Sequence, residues 1–397
     1  MTANSEFPID RVRAETPACE SLLHFNNAGA SLQPNVVSES IREYLELEQQ
    51  IGGYEAHALK ADEIAHFNDA FASLLGTQAH EIAYVENATR AWDMAFYSLP
   101  LREGDRVLTH VSEYASNYLA FMQLEKRLGI DIDIAPSDGS GQIDVDALSR
   151  AVTPRTKVIA ITHVPSQGGL VNPATEVGKV AREHGLIYLL DACQSVGQLR
   201  VDVGEIGCHL LSGTGRKFLR GPRGTGFLYV SDEILGRLDP PFIDLHSAEW
   251  TSAHRYEYAP GARRFENWEC FVAGKIGLGV AVDYAMKIGL EAIEQRVSAL
   301  AESLRGQLSE IDGVEVRDLG EKRSGIVTFT TEHEASGDLV TRLRQQRINI
   351  SSTPKTYAQL DLGGRGIEAV ARASVHYFNT DDEIARFCAA VAGSDSE

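Results

Sequence analysis

The chain has 397 residues, 43% hydrophobic and 23% charged, enough to bury a large core and to form more than one domain. Its formal net charge of −19, from 56 acidic against 37 basic side chains, repels phosphate backbones; that excludes nucleic acid and anionic membrane as main partners but still permits a local basic pocket. No apolar run approaches the roughly 18 residues of a membrane span, and the opening MTANSEFPIDRVRAETP lacks a secretory apolar segment.

The five cysteines are scattered, with no C-x-x-C and no His/Cys cluster, so they read as reduced thiols of a cytoplasmic protein, with no metal site expected. In chain order, the first informative stretch is EIAYVENATRAWDMAF, where a strand should end at Val85 and a helix begin near Thr89. The free N–H groups of such a helix start are natural phosphate ligands, and an N-cap role for Asn87 or Thr89 is compatible with that. Asp105–His110 and Lys157–Thr162 are β-branched, apolar runs of the buried-strand kind. Pro173–His184 has helical spacing between Pro173 and Gly185, and Leu186–Leu190 then reads as a strand running into Asp191. Repeated β–α–β units of this kind imply a mostly parallel sheet covered by helices.

After about Gly261 the pattern changes. Val272–Ile288 and Gly289–Leu308 read as long helices, Val314–Val316 and Gly325–Thr331 as strands, and Gly337–Gln346 as a helix. Arg372–Tyr377 reads as a strand, and a last helix runs from Thr380 to about Ala390. The expectation is a large α/β domain over residues 20–260 and a smaller α+β domain over residues 261–397, joined by residues 1–19.

The densest chemistry lies in Asp191–Ala–Cys–Gln–Ser–Val–Gly and in Ser212–Gly–Thr–Gly–Arg–Lys217–Phe–Leu–Arg–Gly–Pro–Arg–Gly–Thr–Gly. Asp191 stands at the carboxyl edge of a strand, where open α/β sheets bind ligands. A carboxylate buried there needs a cationic partner, and a protonated pyridine nitrogen is one. Lys217 follows a further apolar stretch, among small residues and hydroxyls, where its amine can form a Schiff base and move protons at a substrate α-carbon. A solvated lysine and a turn-forming aspartate are the plain alternatives, but neither explains both residues in register with strands.

The run DACQSVGQLRVDV…LLSGTGRKFLRGPRGTGFLYV resembles the cofactor signature of class V aminotransferases. That family includes cysteine desulfurases, selenocysteine lyases, isopenicillin N epimerase and the C–S lyase of ergothioneine synthesis. The resemblance runs from FNNAGASLQP to RASVHYFNTDDEI, nearly the whole chain. It implies pyridoxal 5′-phosphate as cofactor, the fold type I architecture, and a homodimer with active sites near its interface.

Residue by residue, the resemblance implies that Ala88 and Thr89 hold the phosphate with Thr214 and Arg216, where the family commonly has Ser and His. Tyr114, after Glu113, would stack on the pyridine face. Asp191 would face the ring nitrogen, and Gln194 and Ser166 the 3′-oxygen. Arg372 would bind the substrate carboxylate, and Asn27 and Ala28, with Asn26, would reach the same pocket. The phosphate-binding Thr usually lent by the second subunit has no counterpart in Arg264–Glu269, where Asn267 and Trp268 are the remaining donors.

The segment from Asn349 to Arg372 contains no cysteine, whereas desulfurases carry a reactive one there. Without it a persulfide route is unexpected, and Thr353, Lys355 and Tyr357 occupy the specificity-setting region. The favoured reading is a β-eliminating C–S or C–Se lyase acting on an amino acid through Lys217. An aminotransferase or epimerase is the alternative, and a non-catalytic regulator is disfavoured because there is no room for a DNA-binding domain.

Overall fold

The computed structural model describes residues 7–393. Seven strands make the central sheet: Ile82–Val85 (β1), Arg106–His110 (β2), Asp131–Ala135 (β3), Thr156–Thr162 (β4), Ile187–Asp191 (β5), Leu210–Thr214 (β6) and Gly226–Val230 (β7). Their order is β1-β7-β6-β5-β4-β2-β3, and within it β7 runs antiparallel to both neighbours while the remaining pairs are parallel. The sheet is therefore mostly parallel, in the fold type I architecture.

Both faces of this sheet are apolar, as the uninterrupted hydrophobic strands require. Ile159, Ile161, Tyr188, Leu190, Leu211 and Phe227 point to one side. There they meet Phe67 and Phe71 of Ala61–Leu75 and Val177 and Ala181 of Ala174–Glu183. Their strand neighbours Val158, Ala160, Ile187, Leu189, Leu210 and Leu228 point to the other side. They pack on Trp92 and Phe96 of Ala88–Phe96 (α1) and on Phe121 of Ala115–Leu128 (α2). Each such buried side chain contributes about 1.5–3 kcal/mol, so register is strongly specified: a one-residue slip would exchange the two faces.

A second, antiparallel sheet holds Val314–Val316 (β8), Ile326–Thr331 (β9), Ser351–Pro354 (β10) and Ala369–Ser374 (β11) in the order β8-β9-β11-β10. Its core joins Val327, Phe329, Ala371 and Ala373 to Leu300, Leu304, Ile384 and Phe387 of the helices Leu290–Ser309 and Asp381–Val391. Val12, Leu23 and Phe25 from the start of the chain belong to this same core. The helix Val272–Ile288 spans both units, with Leu278 and Val282 under the large sheet and Ala285 in the second core.

The last strand lies three residues earlier than the expected Arg372–Tyr377. It stops at Ser374 because His376 and Asn379 close a turn, the His376 N–H donating to Asn379 Oδ1 at 2.8 Å and the Asn379 N–H to the His376 carbonyl at 2.9 Å. The following helix starts where expected, on a Thr380/Glu383 capping box. Among the described residues no helix is long and apolar enough to cross a membrane.

Candidate active site

The parallel strands end in one row, and the loops after them supply a cavity of about 280 Å³. Ala88, Thr89, Tyr114, Ser166, Asp191, Gln194, Thr214, Arg216 and Lys217 all line it. They arrive from β1, β2, β4, β5 and β6, so sheet order brings together residues far apart in the chain.

Lys217 is only 7% exposed. Burial holds its ammonium below the ordinary value; Arg216 and Arg372 push the same way, while Cys193 and Asp191 oppose them. Its loop is fixed by Arg220, whose N–H donates to the Lys217 carbonyl at 2.9 Å and whose backbone sits in the left-handed region at φ 60°. The Arg220 guanidinium is fully buried and donates to the Leu32 carbonyl, Tyr377 Oη and Thr16 Oγ1, and it lies over the Tyr377 and Phe378 rings. Nothing in its sequence position foretold this clamp, because every partner is remote.

Asp191 is set by two donors: the Cys193 N–H to Oδ1 at 2.9 Å and Asn117 Nδ2 to Oδ2 at 2.8 Å. Asn117 also donates to Glu113 Oε1 at 2.8 Å, so one amide bridges two buried carboxyl groups. Burial lifts Glu113 to about 7 against the lowering effect of bonds from Thr162 and Asn117. Tyr114 follows Glu113 at the N-cap of α2, its N–H shared between Glu113 Oε1 and Thr162 Oγ1, both at 3.0 Å.

At the other end, Asn87 caps α1 by accepting from the Arg90 N–H at 2.9 Å, which leaves the N–H groups of Ala88 and Thr89 without helical partners. Thr214 Oγ1 donates to the Thr225 carbonyl at 3.1 Å and accepts from Arg216 Nη1 at 3.4 Å. This end offers a guanidinium, hydroxyls and backbone donors with capacity to spare.

Arg372 lies on β11 and is 9% exposed. Its Nη1 donates to the Ser166 carbonyl at 2.8 Å, its Nε is buried without a partner, and it forms no ion pair among the described residues. Burial lowers its pKa to about 10. An uncompensated buried guanidinium is a receptor for an anion. Gln194 Nε2 donates to the Ala28 carbonyl at 3.1 Å, while its buried Oε1 has no partner. The Asn27 side chain is turned into the fold, donating to the Ser374 carbonyl at 2.7 Å and accepting from Ser31 Oγ, whereas the neighbouring Asn26 Oδ1 is buried and unpartnered.

The other candidates stand apart. Thr353 is buried in β10, Lys355 is paired with Glu368, Tyr357 is exposed, and none of them lines the cavity. Asn267 and Trp268 line a larger adjoining cavity of about 580 Å³ that Lys217 does not reach. One cysteine does line the Lys217 cavity: Cys193, two residues after Asp191. Burial raises its thiol pKa, as does Asp191.

The aminotransferase class-V family model matches residues 23–387. A probable cysteine desulfurase of Xylella fastidiosa (strain 9a5c) is 31% identical, with 96% of this chain and 94% of the relative covered. One from Methanothermobacter thermautotrophicus is 29% identical, with 94% of each covered. The solved apo structure of a cysteine desulfurase from Thermococcus onnurineus NA1 is similar at a TM-score of 0.91 and 26% identity, covering 99% of each chain.

Proposed function

This chain belongs to the class V aminotransferase family, and on that premise we propose that it is a pyridoxal-phosphate enzyme that eliminates a sulfur substituent from the β-carbon of an amino acid without lodging the sulfur on a protein thiol. The residues present fit the cofactor. Gln194 Oε1 is buried without a partner among the described residues and can accept from a protonated 3′-hydroxyl, Asp191 is a fixed carboxylate, and the first turn of α1 has free N–H groups. Ala88, Thr89, Thr214 and Arg216 would hold its phosphate, Tyr114 its ring face, Asp191 its ring nitrogen, and Gln194 with Ser166 its 3′-oxygen. When bound, the group supplies an electron sink for charge developing at the substrate α-carbon.

The chain's own residues do the rest. Arg372 pairs with the α-carboxylate and orients the α-C–H bond, with Ala28 and the Asn26–Asn27 turn closing that side. Lys217 Nζ, kept below the ordinary lysine pKa by burial, accepts the α-proton. The C–S electron pair leaves with sulfur, which takes up a proton, and hydrolysis yields pyruvate and ammonia. The observation that carries the thiol-free reading is Cys193: the cavity's one lining cysteine is kept protonated by burial and Asp191, which makes it a poor sulfur acceptor.

The same reading includes a homodimer, supported by exposed Tyr54, Leu59, Leu245, Trp250 and Trp268, of which Leu245 is 73% and Trp250 71% exposed. Sedimentation of the purified protein tests that part.

The chemistry is tested by incubating the protein with cysteine, cystine and S-substituted cysteines while following pyruvate, ammonia and released thiol. Turnover should vanish in Lys217→Ala and persist in Cys193→Ala, with no sulfur added to the protein by mass spectrometry. A persulfide on Cys193, or loss of turnover in Cys193→Ala with cofactor still bound, would overturn the thiol-free route. A keto acid matching the whole substrate would instead mark an aminotransferase.

A further inference from the structure

We infer that Arg223 is the residue that closes the phosphate end of the cavity, binding the cofactor phosphate from within its own chain; this rests on the pyridoxal-phosphate reading above. A phosphate monoester carries nearly two negative charges at neutral pH. The nearby cations are already placed. Lys217 lines the cavity as the proposed Schiff-base residue, and Arg372, outside the lining, donates to the Ser166 carbonyl. Arg216 alone is left near Thr214, its one side-chain bond a long 3.4 Å.

Arg223 lines the same cavity as Asn87, Ala88 and Thr89, the start of α1. Among the described residues its guanidinium forms no ion pair or hydrogen bond, in a chain with 56 acidic against 37 basic residues. The nearby carboxylate of Glu86, which also lines the cavity, has its own partner in Arg90 at 3.7 Å.

The turn that carries Arg223 is held rigidly against α1. Thr225 Oγ1 donates to the Pro222 carbonyl at 2.6 Å, Tyr84 Oη donates to the Gly224 carbonyl at 3.4 Å, and Gly224 takes φ +76°. Gly226 lies so close to Asn87 that a Cβ there would stand 2.8 Å from the Asn87 carbonyl carbon. Such a turn sets the base of the exposed Arg223 side chain beside the helix start, within reach of a ligand there, and a planar fork suits phosphate oxygens. Asn267, the donor that a second copy would lend, is already engaged at home: it donates to Asp244 at 3.4 Å and accepts from Arg90 at 3.3 Å. The phosphate contact that the chain lacks at Arg264–Glu269 is thus supplied by Arg223.

The test is cofactor binding by the apo protein, read by absorbance and fluorescence, with pyridoxal phosphate and with pyridoxal, which has no phosphate. Arg223→Ala should raise the Kd for pyridoxal phosphate about tenfold or more, leave that for pyridoxal unchanged, and weaken competition by inorganic phosphate. Arg223→Lys should recover part of the affinity, and the melting temperature of the apo protein should not move. An unchanged Kd for pyridoxal phosphate overturns the inference, as does equal weakening for both ligands, which would mark a structural role. If the wild-type protein binds neither ligand through Lys217, the functional reading itself fails, and that outcome is visible before any Arg223 variant is made.

Discussion

At the scale of the residue, the site is a set of buried polar groups left incomplete by the protein. Arg372 keeps an unpartnered Nε and no carboxylate, so its buried charge is compensated only when an anion arrives. Arg372→Ala should therefore raise KM for amino-acid substrates by roughly thirtyfold or more, about 2 kcal/mol or above for a desolvated charge pair. Steady-state kinetics would show it, and an unchanged KM would remove the carboxylate role. Lys217 and Asp191 were readable in the sequence because each sits at a strand end within a long, specific motif. Asn117 was not. Its importance comes from bridging Glu113, one helical turn back, to Asp191, 74 residues on, and an asparagine inside a helix carries no mark of that. Cys193 was in plain view, yet only its place in the cavity wall beside Asp191 shows that its thiol pKa is raised.

At the scale of the element, strands and helices were legible wherever apolar periodicity was strong. The runs at Lys157–Thr162 and Leu186–Leu190 coincide with β4 and β5 to within a residue. The shifted end of β11 was not legible, because the His376–Asn379 turn is decided by a side-chain bond that no periodicity encodes. The contact between β7 and α1 links element to function. Gly226→Ala would place a Cβ 2.8 Å from both the Asn87 carbonyl carbon and the Gly213 carbonyl oxygen, which cannot move without tilting the start of α1 or opening β6–β7. Weaker cofactor binding with a lowered melting temperature is the expected result. Wild-type affinity in this variant would show that the helix start does not govern phosphate binding.

At the scale of the whole molecule, buried histidines set how stability responds to acid, and one of them, His376, bonds the Phe218 carbonyl beside Lys217. Burial holds His24, His110 and His163 down to about 4 and His376 further below its ordinary value. In the unfolded chain these groups take up protons below about pH 6.5, while the folded chain refuses them until near 4, so stability is lost as the pH falls through that window. Glu113 acts oppositely: its raised value makes it most stabilising below about 4.5, an advantage lost as the pH rises through about 7. Four groups outweigh one, and urea midpoints should fall between about pH 7 and about pH 5. A flat or rising midpoint would contradict the buried, neutral histidines. By itself the sequence determined the alternation of strands and helices and singled out the motif that holds Asp191 and Lys217, because these depend on neighbours a few residues apart or on one continuous motif. Only the tertiary structure decided that Arg372 reaches Ser166, that Arg220 ties the Lys217 loop to Thr16 and Tyr377, and that Arg223 has no ion-pair partner among the described residues beside α1. Burial and partnering are properties of surfaces brought together by folding, and a residue's place in the chain does not carry them.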